Sequence, residues 1–162
     1  MKTQSHDSRG EIGKREAMAA KDSYHEHVKT ALTKDGWTIS DDPLTIDWMG
    51  TTLQIDFGAE RLIAAEKGAE KIAVEVKSFI GSSKIEDLRD AVGQFIIYRL
   101  SLKRKKSERK LFIAVRDDVY RRIFETSDGR FLLVEEQIRL IVFNARRKEI
   151  VKWISWTDIA TS

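Results

Sequence analysis

The chain contains no cysteine, which excludes a disulfide framework, a cysteine nucleophile and any thiolate zinc site while leaving oxygen-ligand metals open. It also lacks any apolar run approaching the roughly 20 residues that span a bilayer, and its polar start, Met1 to Arg15, has no apolar centre of a signal peptide. No membrane role is expected, and a cytoplasmic setting is compatible with this composition. There is no internal repeat and no low-complexity tract. What remains is 162 residues, 41% hydrophobic and 34% charged, enough for one globular domain with a real core and one site.

Net charge is small, +3, but unevenly placed. Between Arg99 and Lys110 stand seven basic residues against Glu108, a local +6 (seven minus one) that leaves −3 for the rest of the chain. The exposed part of this run, Lys103, Arg104, Lys105, Lys106, Arg109 and Lys110, suits a surface that meets nucleic-acid phosphates. It equally suits a solvated helix end, where cations complement the helix dipole.

Residues 1–17 show no apolar periodicity and are expected to form a loose extension, with Met18 an alternative start. Asp22 is a good N-cap for a first helix carrying Tyr24, His27, Val28, Ala31 and Leu32 to Gly36. Strands are predicted at Trp37 to Ser40, Leu44 to Trp48 and Thr52 to Phe57, with turns at Asp41-Asp42-Pro43 and Met49-Gly50-Thr51. In the last of these Leu53, Ile55 and Phe57 would face one way, Gln54 and Asp56 the other. The pattern over Gly58 to Lys67 fits a helical turn or a strand, and Gly68 breaks it. Ile72 to Lys77 is a buried-strand pattern. Apolar residues from Ile85 to Leu102 recur at three- and four-residue steps, predicting a long amphipathic helix over Ser83 to Lys106 that bears Gln94 and Tyr98 one turn apart. A strand at Leu111 to Val115, helices at Asp117 to Glu125 and Phe131 to Gln137, and strands at Arg139 to Phe143 and Ile150 to Ile154 complete the chain. Helix, three strands, helix, strand and further additions indicate an α/β layer around a mixed sheet.

The strand Ile72 to Lys77 carries a contradiction. With period two, Glu75 and Lys77 share one face of a strand that reads as covered on both sides. A buried charge is costly unless it is paired, bound to metal or opened to a cleft. With Asp56 on a neighbouring strand, two carboxylates can converge on one hard-oxygen site suited to Mg²⁺ or Mn²⁺, and the Val76 carbonyl can add a ligand. Such an ion polarises a phosphoryl oxygen and acidifies water, while Lys77 orients that water, so the reaction class is phosphodiester hydrolysis. The ordinary alternative is a surface pair, Glu75 with Lys77, and an Asp56 that merely ends its strand. His25-Glu26-His27 lacks the i, i+4 spacing of helical zinc ligands. Asp56-Phe57-Gly58 lacks the Gly-rich and catalytic-loop companions of a kinase.

Asp56 with Glu75-Val76-Lys77, set between a leading helix and a helix bearing Gln94 and Tyr98, resembles the PD-(D/E)XK nuclease superfamily. More closely, Ala19-Ala20-Lys21-Asp22-Ser23-Tyr24-His25, Asp35-Gly36-Trp37-Thr38-Ile39, Gly58-Ala59-Glu60-Arg61-Leu62 and Ile72 to Phe79 resemble the XisH family. The likeness continues through Gly93-Gln94-Phe95, Leu140-Ile141-Val142-Phe143 and Trp153-Ile154. It places the family domain over residues 18–156, with 157–162 as a tail. The resemblance implies a single-domain restriction-endonuclease-like α/β fold, an αβββαβ core with C-terminal additions and a mixed central sheet flanked by helices.

It further implies a DNA-associated role, control of fdxN-type element excision during heterocyst development in cyanobacteria, beside a XisI-like companion and a site-specific recombinase. By the same resemblance Asp56 and Glu75 are the motif's acids and metal ligands, and Lys77 is its lysine. Gln94 and Tyr98 form the Q-x-x-x-Y element, with Gln94 among the catalytic set. Glu26 matches an auxiliary acid, Mg²⁺ or Mn²⁺ is the implied cofactor, and many relatives act as homodimers. Ile55 stands where the motif's name has proline. A regulatory relative that keeps the fold and only binds its partners is the other reading.

Overall fold

The computed structural model of the protein describes residues 8–64 and 68–161. Residues 1–7 of the expected extension, 65–67 of the undecided segment and Ser162 of the tail lie outside the described residues. Two strands set the frame: β5 (Gly68–Val76) and β6 (Lys110–Arg116) run parallel with Ile72 opposite Lys110 and Val76 opposite Ala114. Their side chains alternate between two cores. Ala73, Leu111, Ile113 and Val115 enter one cluster, while Ile72, Val74, Phe112 and Ala114 enter the other. Alternation with both faces apolar is what a central strand covered on both sides requires.

Around that pair a six-stranded mixed sheet forms in the order β1-β4-β5-β6-β7-β8. β1 (Thr38–Asp41), β4 (Phe57–Ala64) and β5 are antiparallel neighbours, β7 (Leu140–Asn144) lies parallel to β6, and β8 (Glu149–Ile154) closes the far edge antiparallel. Helix α1 (Ser8–Lys34) covers one face through Val28 and Leu32, which pack with Trp37, Phe57 and Ile72. The other face is covered by α2 (Lys84–Arg104), through Ala91, Phe95, Tyr98 and Leu102, and by α4 (Ser127–Glu135), through Leu133. Between β6 and α4 a short α3 (Asp117–Val119) runs into a π-helical turn at Tyr120–Phe124. Ser83 caps α2 by accepting from the Glu86 N–H. Among the described residues no helix is long and apolar enough to cross a membrane.

The single-domain α/β architecture with a mixed sheet agrees with the sequence reading, and several details differ. The first helix begins at Ser8, so residues 8–17 are helical rather than loose; Lys, Glu and Ala there are good helix formers even without an apolar stripe. The segment over Gly58 resolves as strand β4. β2 (Leu44–Trp48) and β3 (Thr51–Ile55) leave the main sheet as a separate hairpin, turning through Met49 and Gly50, both at positive φ. The expected run to Phe57 therefore breaks at Asp56: Ile55 enters the α2-side core and Phe57 the α1-side core. Residues 157–160 of the predicted tail belong to a helical turn, α5 (Trp156–Ala160), whose Ile159 packs against the α2-side core.

Arg109, expected in the exposed cationic patch, instead ties three strands together. Its guanidinium donates to the carbonyls of Ala59 and Ile72 at 3.3 and 3.0 Å and pairs with Asp41 at 2.9 Å. Gly58 makes room for this, since a Cβ there would lie 2.7 Å from Asp41 Oδ2 and 3.0 Å from Arg109 Nη1. Breaking a largely buried pair by removing one partner costs about 3–5 kcal/mol. At this exposure, 15% for the Arg109 side chain, roughly 2–3 kcal/mol is expected from Arg109→Met. Thermal unfolding followed by circular dichroism should show a Tm about 4–10 °C lower, with Gly58→Ala shifted in the same direction.

Candidate functional site

At the carboxyl end of β5, the kind of place where ligands bind open α/β sheets, a cleft of about 380 Å³ opens. Its walls come from three places: Lys21, Asp22 and His25 of α1, Asp56 with Glu75 to Gly81, and Asp87 and Asp90 of α2. Two backbone-to-carboxylate bonds hold Asp56 and Glu75 together at the end of β5. The Val76 N–H donates to Asp56 Oδ2 at 2.7 Å, and the Asp56 N–H donates to Glu75 Oε2 at 3.2 Å. The local cause is plain. The β4–β5 ladder ends with Phe57 opposite Val74, so the next outward-pointing donor, Val76, has no strand partner and takes the carboxylate instead.

Lys77 Nζ stands 3.8 Å from Glu75 Oε1, and the Lys77 N–H continues the ladder to Ala114. Val76 and Lys77 therefore point to opposite edges of β5, and the Val76 carbonyl faces the Asp56 side. His25 bridges two acids, with Nδ1 at 3.3 Å from Asp56 Oδ1 and Nε2 at 3.1 Å from Asp42 Oδ1. Asp42 is held below the usual carboxylate range, chiefly by the hydrogen bond from Lys29 at 2.9 Å.

Burial first, and the neighbouring Asp56 charge second, push the Glu75 carboxyl up to about 8, against the opposing pull of Lys77. Burial and the same two acids raise the Tyr98 phenol to about 12. Two acids, one of them strongly perturbed, beside an amine in a cleft form the pattern of a functional site.

Of the sequence-predicted residues, Asp56, Glu75, Val76 and Lys77 come together. Tyr98 lies in the α2-side core and donates to the Gln54 carbonyl at 3.3 Å. Gln94, one turn earlier, is half-buried with its Oε1 unpartnered, and neither residue lines the cleft. Glu26 is exposed and outside it, because the cleft-facing stripe of α1 is Lys21, Asp22 and His25. The patch Lys103 to Lys106 is exposed, as is Lys110, but it ends α2 rather than begins it. A 21-residue helix spans about 30 Å, so the patch stands that far from the acids of the cleft. His25, Asp87 and Asp90 were not singled out as site residues. The i, i+4, i+8 polar row Lys21, His25, Lys29 and the acidic first turns of α2 were the available signals.

The fold and site define a mixed α/β protein with a two-acid, one-lysine cleft at the carboxyl ends of its parallel strands. Residues 18–151 match the family described as XisH protein. The chain belongs to the XisH family. Two crystal structures are similar to it. An XisH family protein from Nostoc punctiforme PCC 73102 is 41% identical, with a TM-score of 0.73 over 82% of this chain and 98% of that one. An fdxN element excision controlling factor protein from Anabaena variabilis is 42% identical, with a TM-score of 0.74 over the same shares. No curated protein matches.

The proton on Glu75 makes a stability prediction with a definite sign. The unfolded chain releases it near 4.5 and the folded chain near 8. Between those values the folded state binds more protons, so stability falls as pH rises through the window. In metal-free buffer Glu75→Gln should leave Tm unchanged near pH 4 and raise it by about 5 °C near pH 9. A Tm difference that does not change with pH would show Glu75 ionised in the fold.

Proposed function

We propose that the chain is a divalent-metal-dependent nuclease-type protein, with an endonuclease-like core, that acts on DNA in the control of element excision. The observation that carries this reading is the pair of bonds, Val76 N–H to the Asp56 carboxylate and Asp56 N–H to the Glu75 carboxylate, that holds the two acids together beside Lys77, with Glu75 raised to about 8. A cation beside two neighbouring carboxylates favours the ionised form of both, Glu75 included, and the donors here are the hard oxygens that Mg²⁺ or Mn²⁺ prefers. Asp56, Glu75 and the Val76 carbonyl would hold the ion. When bound, it supplies Lewis-acid polarisation of a phosphoryl oxygen and a more acidic water.

The remaining work falls to the chain's own groups. Lys77, held by Glu75, donates to the attacking water or to a non-bridging phosphate oxygen. His25 fixes the rotamer of Asp56 from the α1 side. The apolar floor of the cleft, Phe79 and Val76, restricts water and strengthens each of these contacts. Tyr98 ties α2 to β3 by donating to the Gln54 carbonyl.

Supercoiled DNA with Mg²⁺ or Mn²⁺ is the direct test. Cleavage should disappear in Asp56→Ala and in Glu75→Ala and fall about 10²–10⁴-fold in Lys77→Ala, while salt-sensitive DNA binding persists in all three. Cleavage that survives both acid substitutions rejects the site.

A second reading, a non-catalytic adaptor that binds a XisI-like companion or a recombinase, is favoured by two observations. Asp56 Oδ1 already faces His25, and among the described residues no cluster of three or more His, Cys, Asp or Glu is arranged to hold an ion. Calorimetric titration separates the two. Mg²⁺ or Mn²⁺ binding that requires Asp56 supports the nuclease reading; none, together with a co-purifying companion, supports the adaptor.

A further inference from the structure

A second concave surface lies at the end of the sheet opposite the acid cleft, at the amino ends of β6 and β7. Two pockets, of about 470 and 220 Å³, share Lys110 and Arg139 as a common wall. The larger is walled by aromatic rings. Trp153 stands 5.5 Å from Trp37 and meets Phe112 edge to face at 5.1 Å, and the Arg61 guanidinium already lies over the Trp37 ring at 4.6 Å. The smaller sets Arg99 and Lys103 over Phe95 and Leu102 and, among the described residues, has no acid in its lining.

Arg139 is the group this arrangement leaves unanswered. Its side chain is half-buried, and burial first, then the Arg99 charge, lower its guanidinium from the ordinary range. The acids around it are engaged elsewhere. Glu136 pairs with Arg99 at 3.9 Å, Glu70 with Arg61 at 3.2 Å, and Asp158 accepts the Ser155 N–H at 3.2 Å, while Asp35 is exposed. Among the described residues neither Arg139 nor Lys110 forms an ion pair. A half-buried cation repelled by its neighbour is held at a cost that a bound anion removes.

We propose that this surface binds a nucleotide-sized ligand, its phosphate held by Arg139 and Lys110 and the planar ring it carries set against Trp153 in the larger pocket. A volume of about 470 Å³ falls within the roughly 300–1,000 Å³ of small-molecule sites. A guanidinium grips two phosphate oxygens at once, and a lysine adds a point charge. A ring stacked on an aromatic side chain adds binding that a bare phosphate lacks. Enclosure separates this surface from Lys105 and Lys106, which are exposed at the end of α2 and line neither pocket. The phosphate has two sources, a free nucleotide or the phosphorylated end of a single strand, and the chemistry of recognition is the same for both. Neither Asp56 nor Glu75 takes part, so the site stands apart from the nuclease reading.

Equilibrium dialysis of the full chain against labelled AMP in metal-free buffer is the test. AMP should bind saturably with a Kd of about 1 mM or below, and at least about tenfold more tightly than inorganic phosphate or adenosine alone. Arg139→Gln should weaken AMP binding at least about tenfold. Lys110→Gln, at an exposed position whose change leaves the core intact, should weaken it about threefold. Lys106→Gln removes the same charge outside both pockets and should bind AMP as the unmodified chain does. A 5′-phosphorylated single strand that displaces AMP identifies a strand end as the source of the phosphate; one that does not identifies the free nucleotide, and the site stands in both cases. No saturable AMP binding, phosphate bound as tightly as AMP, or equal weakening by Lys106→Gln overturns the proposal.

Discussion

The bond from the Val76 N–H to the Asp56 carboxylate is the constraint on which the arrangement of this protein turns. A backbone donor near the end of a buried strand must find an acceptor, and leaving it without one costs about 1–3 kcal/mol. β4 cannot supply the acceptor because its pairing stops at Val74. Asp56 supplies it from the joint between the hairpin and β4, and in doing so fixes where the hairpin leaves the sheet. Glu75 returns the favour by accepting the Asp56 N–H. The hydrogen bonds that close this corner of the fold thus also aim two carboxylates into one cleft, so stability and chemistry share the same atoms.

That sharing has an electrostatic cost. Holding Glu75 beside Asp56 in a half-dry corner raises its carboxyl to about 8, and a group so perturbed opposes folding whenever it must ionise. The surroundings offset this only in part. Lys77 stands close at 3.8 Å but beyond a hydrogen bond. His25 shares itself between Asp56 and Asp42, and Lys29 is committed to Asp42. A core selected for stability alone would place an apolar residue at 75. Natural chains keep such a local conflict where function demands it, and every other position of β5 from Ile72 to Val76 obeys the buried-strand rule.

The sequence made this conflict visible because its signal is local: alternation through Ile72 to Lys77 exposes two charges out of place. The long helix was legible for a similar reason, in its three- and four-residue apolar steps, as were the terminal strands. What could not be seen depended on contacts between distant segments. The pattern reads Thr52 to Phe57 as one continuous strand, yet Ile55 and Phe57 enter opposite cores, and only the docking of the hairpin onto α2 decides that. Arg109 is indistinguishable by composition from its neighbours at 103–106, and its role is set by Asp41, Ala59 and Ile72. The helix over residues 8–17 rests on propensity without periodicity, and a reading led by apolar pattern passes over it. The spacing of His25-Glu26-His27 on one helix does not encode the hydrogen bonds His25 makes to Asp56 and Asp42 on other segments.

The separation of acids from cations follows from topology. A helix that leaves the carboxyl end of β5 and returns the chain to the start of a parallel β6 must run back along the sheet. Its N-terminus, favourable to acids, then lies at the cleft, and its C-terminus, favourable to Lys and Arg, lies at the opposite end. Glu86, Asp87 and Asp90 on one side and Lys103 to Lys106 on the other follow that rule. No rotamer change can bring the two groups together within one chain, because about 30 Å of rigid helix lies between them. The strand order that builds the cleft therefore denies it cations from the far end of its own long helix, and the cations beside its acids come instead from α1 and the end of β5, where Lys21 lines the cleft and Lys77 stands 3.8 Å from Glu75.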